Sequence, residues 1–343
     1  MSDLPRSTNP LGSARPDRRT FLKTGGRLAA ALLAGSMLPG AIHAANRSTR
    51  THPRYAGPII DIHQHTRYHD RNDLQMVRHQ REMGMSHTIL LPAGEYVNTP
   101  ATHDGESNGL GGVNAGGNAS CRALANRYPG EFLFGANAVP DMPDATRRIE
   151  TALEQGACVI GEMKYGLACD SPQMKRIYEV ARAWDVPVLL HWQHDRYNLG
   201  FDRFHKVLEE FPDVNFIGHA QTWWVNIDKA HEDQSVLYPD GSVTAGGWTD
   251  TLLSDYGNCY GDLSAGSGLN ALRRDPEHAA WFLEKHQEKL LYGSDCADAV
   301  GTGPDCQGYG TLETVRSLCT SRQMEEKLLH GNARTLFHLE GKI

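Results

Sequence analysis

Three residues spaced two apart carry the first chemical signal in this chain: Asp61, His63 and His65, within Ile59-Ile60-Asp61-Ile62-His63-Gln64-His65. The apolar residues around them read as a β-strand. Successive strand side chains point to opposite faces, so these three share one side. Two imidazoles about 6.6 Å apart along a strand can converge on one divalent ion. Asp61, on the same side, is placed to hold a ligand imidazole from behind. Three more apolar runs end in a side chain that can bind metal: Pro187–His191, Asn215–His219 and Leu291–Asp295. One such histidine alone is more often a satisfied core residue. Four runs with the same ending are harder to explain that way. Neutral imidazoles with a carboxylate suit Zn²⁺, Mn²⁺ or Fe²⁺ better than Mg²⁺ or Ca²⁺.

These side chains need a scaffold that brings strand ends together. Eight short apolar runs recur: Pro58–His63, His87–Pro92, Phe132–Val139, Cys158–Lys164, Val186–Trp192, Val214–Ala220, Asn258–Ser264 and Leu290–Asp295. Most are nearly continuously apolar, as in a parallel sheet covered on both faces. Helix signals lie between them. Asp141-Met142-Pro143-Asp144 opens Ala145–Gln155, and Ser171-Pro172 opens Gln173–Trp184; each has a polar cap and a proline in the first turn. The expected fold is α/β, a (β/α)₈ TIM barrel, whose strand carboxyl ends all face one mouth. An open doubly wound sheet is the alternative, weakened because no G-x-G-x-x-G follows the first strand. Long loops are expected after strands two and six, at Gly94–Gly117 and Trp223–Gly257. Loops of that length are commonly lids or binding loops.

Residues 1–45 are set apart from this pattern. Asp17-Arg18-Arg19-Thr20-Phe21-Leu22-Lys23 precedes a weakly apolar, acid-free stretch that ends in small residues near Ala44 and Ala45. The stretch is too short and too weakly apolar to be a stable membrane anchor. It reads as a cleavable export signal resembling the twin-arginine type, which a receptor recognises. The expected partner is therefore the twin-arginine translocation machinery, and the expected location is periplasmic or secreted. Residues 46–343 form the folded domain. The net charge of −7 argues against nucleic acid or an anionic membrane as the main partner. Seven cysteines without a CxxC pair read as scattered buried thiols, with one disulfide allowed by an oxidising compartment. The expected partner of the mature domain is a small-molecule substrate, and a homo-oligomer is allowed.

Asp-x-His-x-His on strand one, histidines ending strands five and six, and Gly-Ser-Asp on strand eight together resemble the amidohydrolase superfamily. The closing Gly331-Asn332-Ala333-Arg334-Thr335-Leu336-Phe337 is similar to the tail of its amidohydrolase-related branch. That branch holds hydrolases and non-oxidative decarboxylases. The resemblance implies a divalent metal, most simply Zn²⁺, as one or two ions, with His63, His65, His191 and Asp295 as ligands. His219 would be a second-site ligand or a catalytic group at the substrate. On strand four, Glu162 and Lys164 share a face. Glu162 is the expected bridge between two metals, following its glycine as in TatD-like enzymes. The alternatives are a carboxylated lysine, or a buried Glu162–Lys164 ion pair beneath a single metal.

The implied reaction is metal-dependent hydrolysis of an amide, lactone or ester of a small, aromatic or ring-bearing substrate. Asp295 would take a proton from the metal-activated water and His219 would stabilise the oxyanion. Substrate contacts are expected from Arg67, Trp192 and Trp223, with Arg196, Trp224, Trp248, Tyr96, His103 and His194 as lesser candidates. A metal-dependent decarboxylase is the alternative, with Arg67 holding the substrate carboxylate. A TatD-like nuclease is disfavoured because no basic groove is visible.

Overall fold

The computed structural model describes residues 52–93 and 115–341. The expected export signal, most of the glycine-rich segment after the second strand, and Tyr96 and His103 within it lie outside the described residues.

Strands and helices alternate along the described chain. In order they are β1 (Ile60–Gln64), α1 (Asp73–Glu82), β2 (His87–Leu90), α2 (Asn118–Arg127), β3 (Phe132–Phe134), α3 (Ala145–Glu154), β4 (Ile160–Met163), α4 (Pro172–Trp184), β5 (Val188–His191), α5 (Phe204–Glu210), β6 (Phe216–His219), α6 (Gln221–Val225), α7 (Trp248–Asp255), β7 (Cys259–Asp262), α8 (Ala265–Arg273), α9 (Pro276–Lys285), β8 (Leu290–Leu291), α10 (Gln307–Leu318), α11 (Arg322–Glu326) and α12 (Asn332–Leu336). Every strand pairing is parallel. The strands form one sheet of order β1-β2-β3 and another of order β4-β5-β6-β7-β8. Backbone hydrogen bonds cross both seams. Ala136 N–H donates to Val159 C=O at 2.7 Å and Gly161 N–H to Ala136 C=O at 2.9 Å. On the other side, Ile62 N–H donates to Tyr292 C=O at 3.1 Å and Asp295 N–H to His63 C=O at 2.8 Å.

The eight strands fall where the apolar runs lie, but they are shorter. β3 ends at Phe134 rather than Val139, and β8 at Leu291 rather than Asp295. After β3 the apolar run continues through Ala136, Ala138 and Val139 outside the ladder, and after β8 Tyr292 continues it into the turn that ends at Asp295. Asp295 itself takes a left-handed backbone conformation, φ 40°, which no strand ladder accommodates. α4 begins as expected, with the Ser171 hydroxyl accepting from Met174 N–H. α3 begins at the expected residue without the expected cap, because Asp144 turns its carboxylate to Arg147 and Arg148 instead. The long segment after β6 is not wholly irregular: α6 and α7 occupy its two ends.

The carboxyl-terminal motif has a packing role. Asn332 Nδ2 donates to the carbonyls of Gln287 and Leu290, holding the start of β8. Ala333, Leu336 and Phe337 join Ile60, Ile62, Ile89, Leu189, Ile217 and Leu291 in one buried apolar cluster. His191 and His219 stand two residues beyond Leu189 and Ile217, on the same face, and are directly paired across β5 and β6.

Candidate metal centre

His63, His65, Glu162, His191, His219 and Asp295 meet at the carboxyl ends of the strands. His63 Nε2 and His65 Nε2 are 3.2 Å apart. Glu162 Oε2 lies 3.6 and 3.4 Å from these two nitrogens, and Asp295 Oδ1 3.7 and 3.3 Å. His219 Nε2 is 3.5 Å from Asp295 Oδ2 and 3.7 Å from Glu162 Oε1. Metal–nitrogen bonds of about 2.1 Å put neighbouring ligands roughly 3–3.5 Å apart in tetrahedral or octahedral geometry. The cluster's separations of 3.2–3.7 Å come within a few tenths of an ångström of that spacing.

The far side of each ring shows what the near side is for. His65 Nδ1 donates to the Leu91 carbonyl at 2.7 Å, an acceptor only. His63 Nδ1 donates to Asp262 Oδ2 at 2.6 Å. Both Nδ1 atoms therefore carry a proton, and in the neutral rings the two Nε2 lone pairs face each other across 3.2 Å. Two lone pairs held that close repel, and a cation between them removes the conflict. Glu162 Oε2, Asp295 Oδ1, His191 Nε2 and His219 Nε2 are buried with no hydrogen-bond partner. Orphaned buried polar atoms are costly, and a divalent ion would satisfy them. The donor set fits a divalent transition metal.

The electrostatics agree. Burial alone would lower the proton affinity of His63, His65 and His219. Asp295 and Asp262 at His63, Asp295 and Glu162 at His65, and Asp262 and Asp295 at His219 outweigh it and raise all three. The centre thus attracts positive charge. Burial would raise the Glu162 and Asp295 carboxyls, but the surrounding imidazoles hold both well below the usual range, with Lys164 helping at Glu162. Burial, reinforced by the Lys164 charge, brings His191 down to about 4, so it is neutral. Its Nδ1 donates to Glu162 Oε1 at 2.5 Å.

The second layer was largely hidden from the sequence. Asp262, at the end of β7, takes His63 and His219 on one oxygen, and Ser264 Oγ also donates to that oxygen at 2.8 Å. Burial opposes ionisation there, but His63 and His219 pull its pKa down to about 2. Gly293 makes this approach feasible: a Cβ at that position would sit 2.5 Å from Asp262 Oδ1 and 2.9 Å from His63 Cβ. Asn137 Nδ2 donates to the carbonyls of Pro92 and Glu162, and Asn198 Nδ2 to those of Met163 and His191. These amides tie the strand ends together. Tyr68 packs at a tilt against His65, with ring centroids 4.7 Å apart and planes at 58°. Burial and the carboxylates of Asp295 and Glu162 keep its phenol protonated. Tyr68 and Asp295 line an opening of about 230 Å³.

Two expectations fail on geometry. Asp61 holds no imidazole. Its Oδ1 accepts the backbone N–H groups of His63 and Ser294, and its Oδ2 accepts from Ser294 Oγ and Gln80 Nε2. It therefore laces β1 to the end of β8, while Asp262 from a distant strand does the expected work. Trp223 is wholly buried on Gly218, where a Cβ would approach its ring to 2.2 Å, so it is core rather than pocket wall. Trp192 is buried against Phe201 and Phe204 but edges a cleft with His194 and Trp248. Arg67 is exposed and lines a second cleft with Asn137, Arg122 and Arg147. Trp224 donates to the Asp262 carbonyl, and Arg196 and His194 lie on the surface. Glu162 pairs with His191 rather than Lys164, whose ammonium sits over the Tyr197 ring at 5.5 Å.

A family model described as amidohydrolase matches residues 60–339. The chain belongs to that amidohydrolase family. The family is metal-dependent, and its members are enzymes, hydrolases or decarboxylases. No curated protein matches. Among solved structures, an uncharacterised TIM-barrel protein from Bordetella bronchiseptica is similar, with 16% identity, TM-score 0.56, and 83% of this chain and 99% of that one covered. A probable 2-pyrone-4,6-dicarboxylic acid hydrolase from Acinetobacter baumannii, with citric acid bound, gives 12% identity and TM-score 0.54, covering 82% and 100%. A dihydroxybenzoic acid decarboxylase from Polaromonas, with bound manganese and an inhibitor, gives 15% identity and TM-score 0.51, covering 82% and 97%. At these identities the likeness is one of fold.

Proposed function

We propose that this chain is a metal-dependent hydrolase that directs water onto the carbonyl of an amide, lactone or ester in a small, ring-bearing substrate. One observation carries the reading: the His63 and His65 lone pairs, 3.2 Å apart, face the carboxylates of Asp295 and Glu162. These four residues would hold the ion, for which zinc is our first choice. His191 steers Glu162 from behind, and could join a second ion with His219. A divalent ion bound there lowers the pKa of water and polarises a carbonyl.

Asp295 accepts the proton of the attacking water and returns it to the leaving group. With a single ion bound, His219, its proton affinity raised by Asp262 and Asp295 against burial, would donate from Nε2 to the developing oxyanion; with two ions that nitrogen would be a ligand instead. Tyr68, held protonated beside Asp295, donates to the substrate at the opening. Arg67 and the arginines of its cleft supply the charge that a substrate carboxylate would need. That cleft is also the feature that favours the alternative, non-oxidative decarboxylation of an aromatic acid, the activity named for the Polaromonas protein.

The test is turnover by chelator-treated protein, with and without added Zn²⁺ or Mn²⁺, on a panel of lactones, amides, esters and aromatic carboxylates. Metal-dependent proton release from a lactone, amide or ester supports the hydrolase. Carbon dioxide release from an aromatic acid without hydrolysis replaces it with the decarboxylase. Turnover indifferent to metal removal sinks both.

We further read the two sheets as one (β/α)₈ barrel, supported by the backbone bonds across both seams. We also read residues 1–45 as a twin-arginine signal that places the mature enzyme in the periplasm or outside the cell. Cytoplasmic retention of a variant with both Arg18→Lys and Arg19→Lys would support that route, and unchanged export would exclude it.

A further inference from the structure

A second group of donors lies beside the histidine cluster and takes no part in it. His79 of α1, Cys296 and Asp298 of the loop after β8, and Cys306 at the start of α10 each bring a donor atom within 4.8 Å of the others. His79 Nε2 is 3.3 Å from Cys306 Sγ and 3.4 Å from Cys296 Sγ. His79 and both cysteines are buried; Asp298 is half-buried.

The hydrogen bonds fix which histidine nitrogen is free. The Asp61 carboxylate accepts Gln80 Nε2–H at 2.7 Å, which sets the orientation of the Gln80 amide. Gln80 Oε1 then faces His79 Nδ1 at 3.0 Å. The His79 proton sits on Nδ1, and the Nε2 lone pair points at both sulfurs. A ring held through one nitrogen by an acceptor, with the other aimed at further ligands, is how proteins present a metal-binding histidine.

The surroundings suit a closed site. Met83, with Met85 and Tyr309, packs around the two sulfurs. Tyr309 N–H points to Cys306 Sγ at 3.4 Å, favouring its thiolate. The buried Arg71 guanidinium donates to the Asp298 carbonyl at 2.8 Å. Two thiolates and one carboxylate are balanced by a divalent ion together with Arg71.

We propose that His79, Cys296, Asp298 and Cys306 form a structural site for a thiophilic divalent cation of the zinc class, separate from the histidine centre. Two sulfurs, one imidazole and one carboxylate complete a tetrahedral set that leaves no open position for substrate. Binding displaces one proton from each thiol to solvent. The site would pin α1, the β8–α10 loop and α10 to one point. Cys296 follows Asp295 directly, so the ion would also steady the turn that presents Asp295.

The experiment loads the full chain with Co²⁺ under reducing conditions and records its absorption spectrum. The histidine centre has no sulfur donor, so a near-ultraviolet sulfur-to-cobalt charge-transfer band would come from the proposed site. The band is expected in the wild type, retained in His63→Gln, and lost in Cys296→Ser and Cys306→Ser, with one metal equivalent per chain lost alongside it. A wild-type chain without the band overturns the proposal, even where a cysteine variant fails to fold. So does a Cys296–Cys306 disulfide found by peptide mapping of protein purified without reductant.

Discussion

One oxygen of Asp262 serves two imidazoles: Oδ2 lies 2.6 Å from His63 Nδ1 and 3.2 Å from His219 Nδ1. Its other oxygen accepts the Ser264 backbone N–H at 3.0 Å, so the carboxylate cannot swing away. Asp262 thereby orients both rings and makes His63 a stronger donor. Asp262→Asn would present an amide where both rings need an acceptor. Metal affinity is expected to fall about 10–100-fold, read by competition with a chromogenic chelator. Unchanged affinity would reduce Asp262 to a packing residue.

Asp295 combines an unpartnered buried oxygen with a left-handed backbone. Strain of that kind persists where the surroundings enforce it, and here Asp295 N–H is tied to the His63 carbonyl. Asp295→Asn keeps the shape and removes the proposed base. We expect turnover to fall by about 10²–10⁴ when metal is supplied in excess and its content is checked by mass spectrometry. Full activity with metal bound would remove Asp295 as the proton acceptor.

Strand-end chemistry was the part most legible in the sequence. His63, His65, His191, His219 and Asp295 each follow an apolar run, and parallel topology brings such ends together without further information. Glu162 was legible by its spacing, but its partner was not: strand alternation offered Lys164, while the fold delivered His191 from the neighbouring strand. Asp61 and Asp262 show the same limit more sharply. Both are aspartates on strands, and only three-dimensional neighbours decide which one meets an imidazole. The Gly261-Asp262 pair ending an apolar run was the available signal for Asp262, and it was weak without a histidine beside it. His79, Cys296 and Cys306 carried no spacing signal at all, because α1 and α10 are far apart in the chain.

Gly293 has no room for a side chain. A Cβ there would lie 2.5 Å from Asp262 Oδ1 and 2.9 Å from both His63 Cβ and Ser264 Cβ. None of these atoms is the loose end of a flexible chain. Gly293→Ala is expected to cost about 1–3 kcal/mol of stability, as overpacking does, and to weaken metal binding as well. Denaturant unfolding and chelator competition measure the two effects. A variant with wild-type values in both would show that β8 can shift away from β1 without disturbing the centre.

Among the described residues, five histidines away from the metal centre are held neutral by burial and shape the response to acid: His87, His231, His278, His286 and His330. Burial lowers the proton affinity of each, helped at His286 by Lys285 and Lys289. Each is therefore neutral in the folded chain over a pH range where the unfolded chain, with a histidine pKa of about 6.5, takes up a proton. The unfolded state binds more protons there, so stability rises with pH across that window and is lost as pH falls below about 6.5. Asp250, whose carboxylate bonds His286 and Lys285, has a lowered pKa too, but its contribution is lost only as pH falls below the ordinary carboxylate range, near 4. Melting temperature should therefore drop between about pH 6.5 and 5. His278, whose ring stacks on Phe282 with neither nitrogen hydrogen-bonded, is the cleanest probe. His278→Leu, compared with wild type at equal metal loading, should make the acid limb shallower and leave stability above about pH 7.5 little changed. An equally steep limb in the variant would show that the acid response arises elsewhere.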